Sequence, residues 1–407
     1  MTKNRNASLT FIFITILLDV IGLGLIIPVL PKLINEFVGE NITQAALYLG
    51  ITMSVYALMQ FVCAPIIGAL SDQYGRRPVL LSSLLGFGLD YILLALAPSL
   101  GWLFVGRVIA GITGASFTTA QAYIADISAP EDRGKNFGLV GAAFGIGFII
   151  GPVLGGVLSK YGDLRTPFWA AAVLSLLNFC YGYFILPESL KPENRRKFDW
   201  KRANPVGSLL QLKKYPAIYG MLSAFICLQL GGQVHPSTWA VFTMKQFQWD
   251  ELDVALSLAF VGFMIALVQG GLIRYTTPRL GQHKSIVVGL SFYAIGFFLF
   301  SLASEGWMMY AFMVPFALGG LAGPTLQGVI SAKVNPSEQG ELQGALTSLM
   351  SLTSILGPLM HTNIFSYFSS ENALIHYPGA AFFVGSILAL SALFIILRTL
   401  PKENQVN

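Results

Sequence analysis

One segment of this sequence decides how the rest can fold: Gly68-Ala69-Leu70-Ser71-Asp72-Gln73-Tyr74-Gly75-Arg76-Arg77-Pro78. It separates two apolar runs, at about 45–70 and 78–98, and each run reaches the roughly 20 residues that a membrane-spanning helix needs. Gly75 permits a tight turn with positive φ, and the acidic and basic side chains around it can form a charge-assisted network at a helix end. The segment therefore predicts a short, charged loop between two transmembrane helices.

The composition extends this interpretation to the whole chain. Only 11% of the 407 residues are charged and 54% are apolar, whereas a soluble domain carries about 25% charged residues. So little charge cannot cover a surface that faces water, which excludes a soluble protein and predicts an all-α membrane protein. The formal net charge of +5 is too small to indicate nucleic-acid binding. Cys63, Cys180 and Cys227 have no paired spacing, so we expect no disulfide, no metal site and three buried side chains.

Apolar stretches long enough to span a bilayer recur along the chain. We count twelve, at about 9–35, 45–70, 78–98, 101–124, 136–160, 166–186, 215–243, 253–274, 284–303, 307–331, 341–368 and 378–398. With both termini inside, most of the 25 basic residues fall on inside segments, which is a strong positive-inside bias. The sequence thus predicts a six-helix bundle at 1–186, a cytoplasmic linker at 187–214 and a second six-helix bundle at 215–407, with both termini cytoplasmic.

The two predicted bundles share a repeat with an offset of 206 residues. The matched positions are Gly75 with Gly281, Pro130 with Pro336, Gly134 with Gly340, Gly138 with Gly344, and Gly151-Pro152 with Gly357-Pro358. A duplicated six-span unit explains five matches at one offset. Parallel repeats related by an axis along the membrane normal are the arrangement of major facilitator transporters, so we expect two pseudo-symmetric six-helix bundles.

The opening segment also resembles the signature loop between spans 2 and 3 of the major facilitator superfamily, in which an acidic residue and arginines lock one access state. Asp126, at the inner end of span 4, is expected to join this network through Arg76 or Arg133. The resemblance implies a gating set made of Gly68, Asp72, Gly75, Arg76, Arg77, Asp126 and Arg133. The second-half copy, from Gly271 to Lys284, has no acidic residue.

Span 5 is rich in glycine and reads Gly145-Ile146-Gly147-Phe148-Ile149-Ile150-Gly151-Pro152-Val153-Leu154-Gly155-Gly156. Small residues let membrane helices approach closely and Pro152 kinks the helix, so helix packing is one interpretation. The run also resembles the span 5 motif of drug:proton antiporters, which implies export. The residues assigned to this motif are Gly147, Gly151, Pro152, Gly155 and Gly156.

Further stretches resemble the tetracycline exporter family, the twelve-span metal–tetracycline:proton antiporters. They include Leu17-Leu18-Asp19, Pro28-Val29-Leu30-Pro31, Tyr56-Ala57-Leu58-Met59-Gln60, Leu89-Asp90-Tyr91, Gly106-Arg107 and Leu326-Gln327-Gly328-Val329. The resemblance implies a protein of the bacterial cytoplasmic membrane that exchanges a small-molecule substrate, alone or as a divalent-metal complex, for protons. We expect a monomer in the lipid bilayer, with no cofactor, no enzymatic activity and no nucleic-acid partner.

Three ionisable residues of the first half lie inside predicted spans, where each should face the interior or a cavity. Asp90 and Arg107 lie at similar depth and can pair, either as an ion pair that fixes helix register or as a proton or cation site. Asp19 has no obvious cationic partner in the sequence, which favours a protonatable or substrate-facing carboxylate. His235 in span 7 is a titrating residue type that completes the predicted proton-coupling set, although it could equally serve as a cap or hinge before Pro236.

Four glutamines within the spans are substrate-binding candidates: Gln60, Gln229, Gln233 and Gln269. Polar side chains at membrane depth usually hold helices together. The alternative is hydrogen bonding to a polar aromatic ligand, which the resemblance supports for Gln60 and Gln269. Two positions depart from the family, since tetracycline exporters carry a carboxylate in span 9 and a histidine in span 8 where this sequence has Tyr293 and Ile265. Antiport of an amphipathic substrate is therefore better supported than transport of tetracycline itself.

The sequence as a whole favours a twelve-helix drug:proton antiporter that rocks one bundle against the other. The alternative is a transporter of an endogenous metabolite on the same fold, with no role in drug resistance. A receptor is disfavoured because no signalling domain is attached, and an enzyme because the spans contain no Ser/His/Asp or metal cluster. The absence of a Walker-type loop argues against direct drive by ATP.

Overall fold

The computed structural model describes residues 2–114, 117–128, 133–200, 204, 207, 212–335 and 338–399. Side chains are described at these positions except 2–8, 133–135, 137–139, 340 and 341. Pro130 and Pro336 of the repeat, and the side chain of Arg133, therefore lie outside the described residues. Within the described ranges the chain is helical and contains no β-strand, as a chain must be when lipid cannot satisfy its backbone polar groups.

The helices of the first half begin and end close to the predicted spans. In chain order they are α1 (Thr2–Ile26), α2 (Leu30–Phe37), α3 (Ile42–Tyr74), α4 (Arg76–Leu96), α5 (Leu100–Gly114), α6 (Phe117–Ile127), α7 (Arg133–Tyr161) and α8 (Thr166–Ile185). Most are apolar around their whole circumference, which is typical of helices that are surrounded by lipid and other helices. A short turn joins α1 to α2 within span 1, and α5 and α6 together form span 4.

The second half repeats this pattern. Its helices are α9 (Tyr219–Gly232), α10 (Val234–Phe247), α11 (Glu251–Leu267), α12 (Ile273–Ser301), α13 (Gly306–Leu318), α14 (Ala322–Ala332), α15 (Gln339–Phe368) and α16 (Ala380–Thr399). A single π-helical turn, Val268–Leu272, connects α11 directly to α12. Helices α9 and α10 together form span 7, and α13 and α14 together form span 10.

Ten helical stretches of the described residues are long and apolar enough to cross a membrane. One of them, Glu251–Ser301, has 51 residues, and it contains two spans because Gly281 interrupts it with a φ of 78°. Helix α15, with 30 residues, is also long enough, although its many Ser, Thr and Gln residues lower its hydropathy. The described residues thus form the twelve predicted spans, and the predicted all-α fold class is confirmed.

The chain divides into two compact units. The first comprises residues 1–39, 55–205 and 250–259, and the second comprises residues 40–54, 206–249 and 260–407. The units differ from the predicted bundles at two helix ends. The N-terminal part of α3 belongs to the second unit, and the N-terminal part of α11 belongs to the first. The predicted boundaries at 186 and 214 remain a prediction.

Each unit has its own apolar core. In the first unit, buried side chains of α1, α4, α6 and α7 pack together around Phe11 and Tyr123. In the second unit, α9, α12, α14, α15 and α16 contribute a buried cluster that includes Phe225 and Leu326. Each unit is therefore stabilised by buried contacts among its own helices.

The backbone supports the internal repeat at its matched glycines. Gly75 has a φ of 106° and Gly281 has a φ of 78°, a region that L side chains rarely adopt. Both glycines therefore turn the chain at the same place in the two copies. Pro152 and Pro358, another matched pair, lie inside α7 and α15.

One expectation about the cysteines is wrong. Cys180 is exposed on α8, and Cys63 and Cys227 are only partly buried. The surface of a membrane helix faces lipid, which is as apolar as the protein interior, so a small apolar side chain gains little from burial there.

Candidate transport site

The signature loop of the first unit is organised around the guanidinium group of Arg76. Its Nη1 lies 2.6 Å from Oδ1 of Asp72, and its Nε lies 3.1 Å from Oδ2 of Asp126. Nη1 also donates to the hydroxyl of Ser71 at 2.6 Å. Arg76 is itself buried, with 8% of its surface exposed, so the two carboxylates compensate a charge that would otherwise be costly. The structure thus joins Asp126 to the loop through Arg76.

The remaining residues of the loop have distinct contacts. Arg77 turns away from the carboxylates, because its Nη2 donates to the carbonyl of Tyr183 at 2.7 Å and its guanidinium lies 5.7 Å from that ring's centre. The carbonyl of Gly68 accepts a hydrogen bond from Ser71 at 2.7 Å. Gly75 lies between the end of α3 at Tyr74 and the start of α4 at Arg76, so it provides the turn that brings Asp72 and Arg76 together.

Glu188, in the linker, holds the first turn of α4 from outside. Its carboxylate accepts hydrogen bonds from the backbone N–H groups of Arg76 at 2.9 Å, Arg77 at 3.3 Å and Leu190 at 3.0 Å. The first N–H groups of a helix have no acceptor within the helix, and a negative charge is favoured there. Arg195 lies 4.0 Å from the same carboxylate.

The linker makes three more contacts with the loop. Ser189 donates to Oδ2 of Asp126 at 3.0 Å. The N–H of Arg196 donates to the carbonyl of Asp72 at 3.0 Å, and the N–H of Phe198 donates to the side chain of Gln73 at 3.0 Å. The first part of the linker is therefore fixed to the signature loop.

Asp90 and Arg107 form a buried ion pair between α4 and α5. Nη2 of Arg107 lies 3.8 Å from Oδ2 of Asp90, and Asp90 is fully buried. That distance is too long for a hydrogen bond. Among the described residues, neither oxygen of Asp90 and neither Nε nor Nη2 of Arg107 has a hydrogen-bond partner. The pair thus keeps capacity for a proton, a water or a ligand.

Asp19 has a neutral partner that the sequence did not indicate. Nδ2 of Asn178, in α8, donates to Oδ1 of Asp19 at 3.2 Å and to the carbonyl of Thr15 at 3.1 Å. Asn178 is fully buried, so its amide fixes the orientation of the Asp19 carboxylate. Tyr91 packs against α1 one turn further along, where a Cβ at Gly22 would lie 3.4 Å from its hydroxyl.

Gln60 lies between α3 and α5. Its Nε2 lies 3.3 Å from the carbonyl of Gly114 and 3.5 Å from the hydroxyl of Tyr56. A Cβ at Gly114 would lie 2.9 Å from that hydroxyl, so the glycine lets the two helices approach. The amide oxygen of Gln60 has no partner within the described side chains, which leaves it available to a ligand.

The glycine-rich motif of α7 forms a close seam with α1. A Cβ at Gly151 would lie 2.8 Å from Cα of Gly24, and one at Gly147 would lie 2.7 Å from the side chain of Val20. A Cβ at Gly155 would overlap the carbonyl of Leu25. These glycines allow backbone-to-backbone contact next to the kink at Pro152.

Three contacts join α7 and α2 to the start of α11 within the first unit. A Cβ at Gly156 would lie 2.7 Å from Cβ of Ala255. Nζ of Lys32 lies 2.5 Å from Oε1 of Glu251, and Nζ of Lys160 lies 2.9 Å from Oδ2 of Asp250. The motif therefore packs against two different helices.

The second unit contains a cavity of about 240 Å³. Its lining residues come from α9, the π-turn, α12, α14 and α15 and from the turn before α14: Phe225, Leu228, Gln229, Gly232, Gln269, Tyr293, Gly320, Gly323, Pro324, Gln327 and Met350. The cavity brings together two of the predicted substrate-binding residues, Gln229 and Gln269, and it adds Tyr293 and Gln327.

Gln233 and His235 lie beside this cavity rather than in its lining. Nε2 of Gln233 donates to the hydroxyl of Ser354 at 3.0 Å. His235 is stacked on Phe316, with ring centres 5.2 Å apart, and its ring centre lies 4.6 Å from that of Trp239. No described carboxylate forms an ion pair with His235, and its Nε2 has no hydrogen-bond partner in the described residues. A substrate or proton role for these two residues remains a prediction.

The geometry agrees with comparisons to known proteins. A model of the Major Facilitator Superfamily matches residues 12–358 and 272–407 of the sequence. The chain belongs to the Major Facilitator Superfamily. Within the superfamily it belongs with the tetracycline resistance proteins, because it is 43% identical to the class C protein of Escherichia coli over 95% of this chain and 97% of the relative. It is also 35% identical to the class B protein of Escherichia coli over 89% of each chain.

Solved structures of the superfamily share the fold. The human organic anion transporter TETRAN superposes with a TM-score of 0.70 at 23% identity, covering 96% of this chain and 99% of that one. The nucleoside transporter NupG superposes with a TM-score of 0.79 at 13% identity, covering 97% and 100%. At these identities the likeness concerns the fold alone. The match to the superfamily model and the tetracycline resistance relatives make this superfamily member a multi-pass membrane protein.

Sequence reasoning missed three residues that contribute to these sites in this superfamily member. Glu188 belongs to the signature loop although it lies in the linker, and Asn178 contacts Asp19 from span 6. Gln327 lines the cavity. The sequence had placed it only in a stretch that resembles the tetracycline exporters, and the structure was needed to identify it as a site residue. A glutamate just after an apolar span was the only signal that could have indicated Glu188, since a free carboxylate there can cap a neighbouring helix.

Proposed function

We propose that this chain exports amphipathic, tetracycline-like drugs from the cytoplasm in exchange for protons, by alternating access of two six-helix bundles. Relatives that are named for tetracycline resistance and cover nearly the whole chain support this proposal. Coupling to protons is supported by the Asp90–Arg107 pair in the interior of the first unit. Nη2 of Arg107 lies 3.8 Å from Oδ2 of Asp90, and the two groups form no hydrogen bond with each other.

Proton binding at Asp90 changes what Arg107 can pair with. While Asp90 is charged, it compensates the buried guanidinium group. A proton on Asp90 removes this compensation, and a buried charge that loses its partner costs about 3–5 kcal/mol. Arg107 then favours an arrangement of the helices that offers it another partner. Asp19, held by Asn178, is the second proton-coupling carboxylate of the proposal, and His235 is its candidate in the second unit.

The membrane potential supplies energy for such an exchange. One elementary charge that crosses 100 mV supplies about 2.3 kcal/mol. Inward movement of a proton is therefore sufficient to drive a substrate outward against a gradient of roughly fiftyfold at 100 mV. The signature loop, with Arg76 between Asp72 and Asp126, would stabilise one access state at the cytoplasmic face. The proposal places the chain in the bacterial cytoplasmic membrane as a monomer, with both termini inside.

Inverted membrane vesicles test the proposal directly. In inverted vesicles whose lumen is more acidic than the outside, protons leave as the drug enters, and we expect the wild-type chain to accumulate tetracycline and Asp90→Asn to accumulate none above vesicles that lack the protein. Asp163→Asn is the matched control, because Asp163 lies in the loop before α8. Its carboxylate accepts hydrogen bonds from the N–H groups of Arg165 and Thr166, which hold its pKa below the usual range. Full accumulation by Asp90→Asn would refute the assigned role of the pair.

A second candidate function is export of an endogenous metabolite on the same fold. It is favoured by Tyr293 and Ile265, which stand where the resemblance expects a carboxylate and a histidine. Expression in a pump-deficient bacterial host distinguishes the two functions. A raised inhibitory concentration of tetracycline supports drug export, whereas unchanged susceptibility at good membrane expression supports the metabolite.

A further inference from the structure

The first part of the linker presents positive charge that no protein group compensates. Residues 191–200 contain four basic and two acidic side chains. Arg196 and Lys197 are exposed, and neither side chain forms a hydrogen bond or an ion pair with another described residue. Arg195 is also exposed and lies 4.0 Å from the Glu188 carboxylate, which already accepts three backbone N–H groups. The segment therefore has cationic groups that are available to an anion.

An exposed tryptophan lies in the same segment. Trp200 is 70% exposed, and its ring packs edge-to-face against Phe198 with ring centres 4.9 Å apart. A large aromatic ring gains no stabilisation from burial while it stays in water. Tryptophan is enriched where the bilayer meets water, because its ring is apolar and its N–H is polar. We call Arg196, Lys197 and Trp200 the linker patch.

Contacts within the first unit place the linker patch where the spans leave the bilayer. The N–H of Arg196 donates to the carbonyl of Asp72, in the last turn of α3, at 3.0 Å. Tyr183 and Phe184, near the end of α8, are 55% and 81% exposed. Exposed aromatic rings at the end of a span are typical of the boundary between lipid and water. Arg77 connects the two sites, because its guanidinium lies 5.7 Å from the ring centre of Tyr183.

We propose that the linker patch binds the anionic phospholipid headgroups of the adjacent leaflet and thereby holds the linker against the signature loop. Basic clusters just after a transmembrane helix attract anionic lipids. Guanidinium and ammonium groups donate charge-assisted hydrogen bonds to a headgroup phosphate, while the ring of Trp200 occupies the interface. Arg196 then contacts the lipid through its guanidinium and Asp72 through its backbone N–H. The inference needs the membrane location of the protein but not its substrate.

Quenching of Trp200 fluorescence by brominated lipids tests this contact in the full chain. The chain is placed in nanodiscs of phosphatidylcholine and phosphatidylglycerol, and only one of the two lipids carries bromine on its acyl chains. The same measurement on Trp200→Phe is subtracted, which removes the signal of the other five tryptophans. One basic residue near the surface corresponds to about fivefold enrichment of anionic lipid. With two such residues, half-maximal quenching at low salt should need an about 25-fold smaller fraction of phosphatidylglycerol than of phosphatidylcholine.

Removal of single charges identifies the residues responsible for the preference. Arg196→Gln and Lys197→Gln should each reduce the preference for phosphatidylglycerol about fivefold, and the double variant should abolish it. Lys333→Gln is the matched control, since Lys333 is an exposed basic residue directly after α14. It should leave the preference unchanged.

Amide exchange tests whether bound lipid holds the linker against the signature loop. The N–H groups of Arg196 and Phe198 donate to Asp72 and to the side chain of Gln73. Phosphatidylglycerol should slow hydrogen–deuterium exchange at these two amides about fivefold in the wild type, because the open state of the linker would first have to release the lipid. In the double variant the lipid should have no effect.

The outcomes separate this inference from the proposed transport, since neither substrate nor proton gradient is present. Equal quenching by the two lipids, or a preference that falls as much in Lys333→Gln as in Lys197→Gln, would overturn anionic lipid binding at the linker patch. Absence of quenching by either lipid would show that the patch faces water or an acidic protein, and would equally overturn it. Lipid binding that leaves amide exchange unchanged would refute the hold on the signature loop.

Discussion

Glu188 offers a sharp test of how the linker controls the signature loop. In Glu188→Ala, the backbone N–H groups of Arg76 and Arg77 lose the carboxylate that accepts them at 2.9 and 3.3 Å. Each hydrogen bond to a charged acceptor contributes about 1.5–3 kcal/mol. Solvent can replace part of this loss, because the carboxylate is 26% exposed, and loss of a helix cap typically costs about 1 kcal/mol and at most about 2 kcal/mol. We therefore expect the first turn of α4 to be destabilised by about 1–2 kcal/mol.

Hydrogen–deuterium exchange measures this cost at the two amides themselves. A loss of about 1–2 kcal/mol corresponds to exchange that is roughly 5- to 30-fold faster, since 1.36 kcal/mol is a factor of ten. The change should be confined to peptides that cover the start of α4. Glu188→Gln should lie between Glu188→Ala and the wild type, because the amide oxygen can still accept one hydrogen bond but carries no charge.

Glu193→Ala is the matched control for this measurement. Glu193 lies in the same linker and is exposed, and it makes no hydrogen bond or ion pair with any described residue. It should leave exchange at the start of α4 unchanged. Equal exchange in Glu188→Ala and Glu193→Ala would refute the conclusion that the Glu188 carboxylate caps this helix.

Three further substitutions test other contacts. Gly75→Ala places a Cβ on a residue with a φ of 106° and against the Glu188 carboxylate. Thermal unfolding of the purified chain should therefore show a free energy of unfolding lower by about 1–2 kcal/mol. An unchanged midpoint would contradict the strained turn. Gly151→Val forces α1 and α7 apart and should cost about 1–3 kcal/mol or abolish monodisperse protein in size-exclusion chromatography, whereas Gly141→Val, which meets open space, should behave as wild type. Asn178→Leu removes the donor to Asp19 and should lower proton uptake coupled to drug release in proteoliposomes. The equilibrium affinity for the drug should stay within about twofold of wild type. Undiminished proton uptake would show that the amide does not position the carboxylate.

Hydropathy and charge predicted the spans because each helix must be apolar along its whole length to lie in lipid. Local contacts were also predictable. Asp72 and Arg76 are four residues apart and meet in the loop, and counting depth along two adjacent spans was sufficient to pair Asp90 with Arg107. In these cases the geometry of a single helix, or of two neighbouring helices, determines the contact.

Contacts over long sequence distances could not be predicted in this way. Glu188 lies 112 residues from Arg76, and nothing in the linker composition shows which helix end it approaches. From the sequence alone, Asn178 is one more polar residue that can hold helices together. Its contact with Asp19 depends on the rotation of α8 about its own axis. Periodicity gives no information on that rotation when a helix is apolar on every side.

The π-turn Val268–Leu272 has a consequence for how this transporter can change. Its i→i+5 hydrogen bonds accommodate one more residue than an α-helical turn between the same two ends. Deleting Gly270 would therefore leave an unbroken α-helix in which α11 and α12 keep their relative orientation. Only residues of the turn itself, among them Gln269, would point their side chains in a new direction. A single-codon deletion, without any substitution, would thus change one hydrogen-bonding group of the cavity and leave both spans in place.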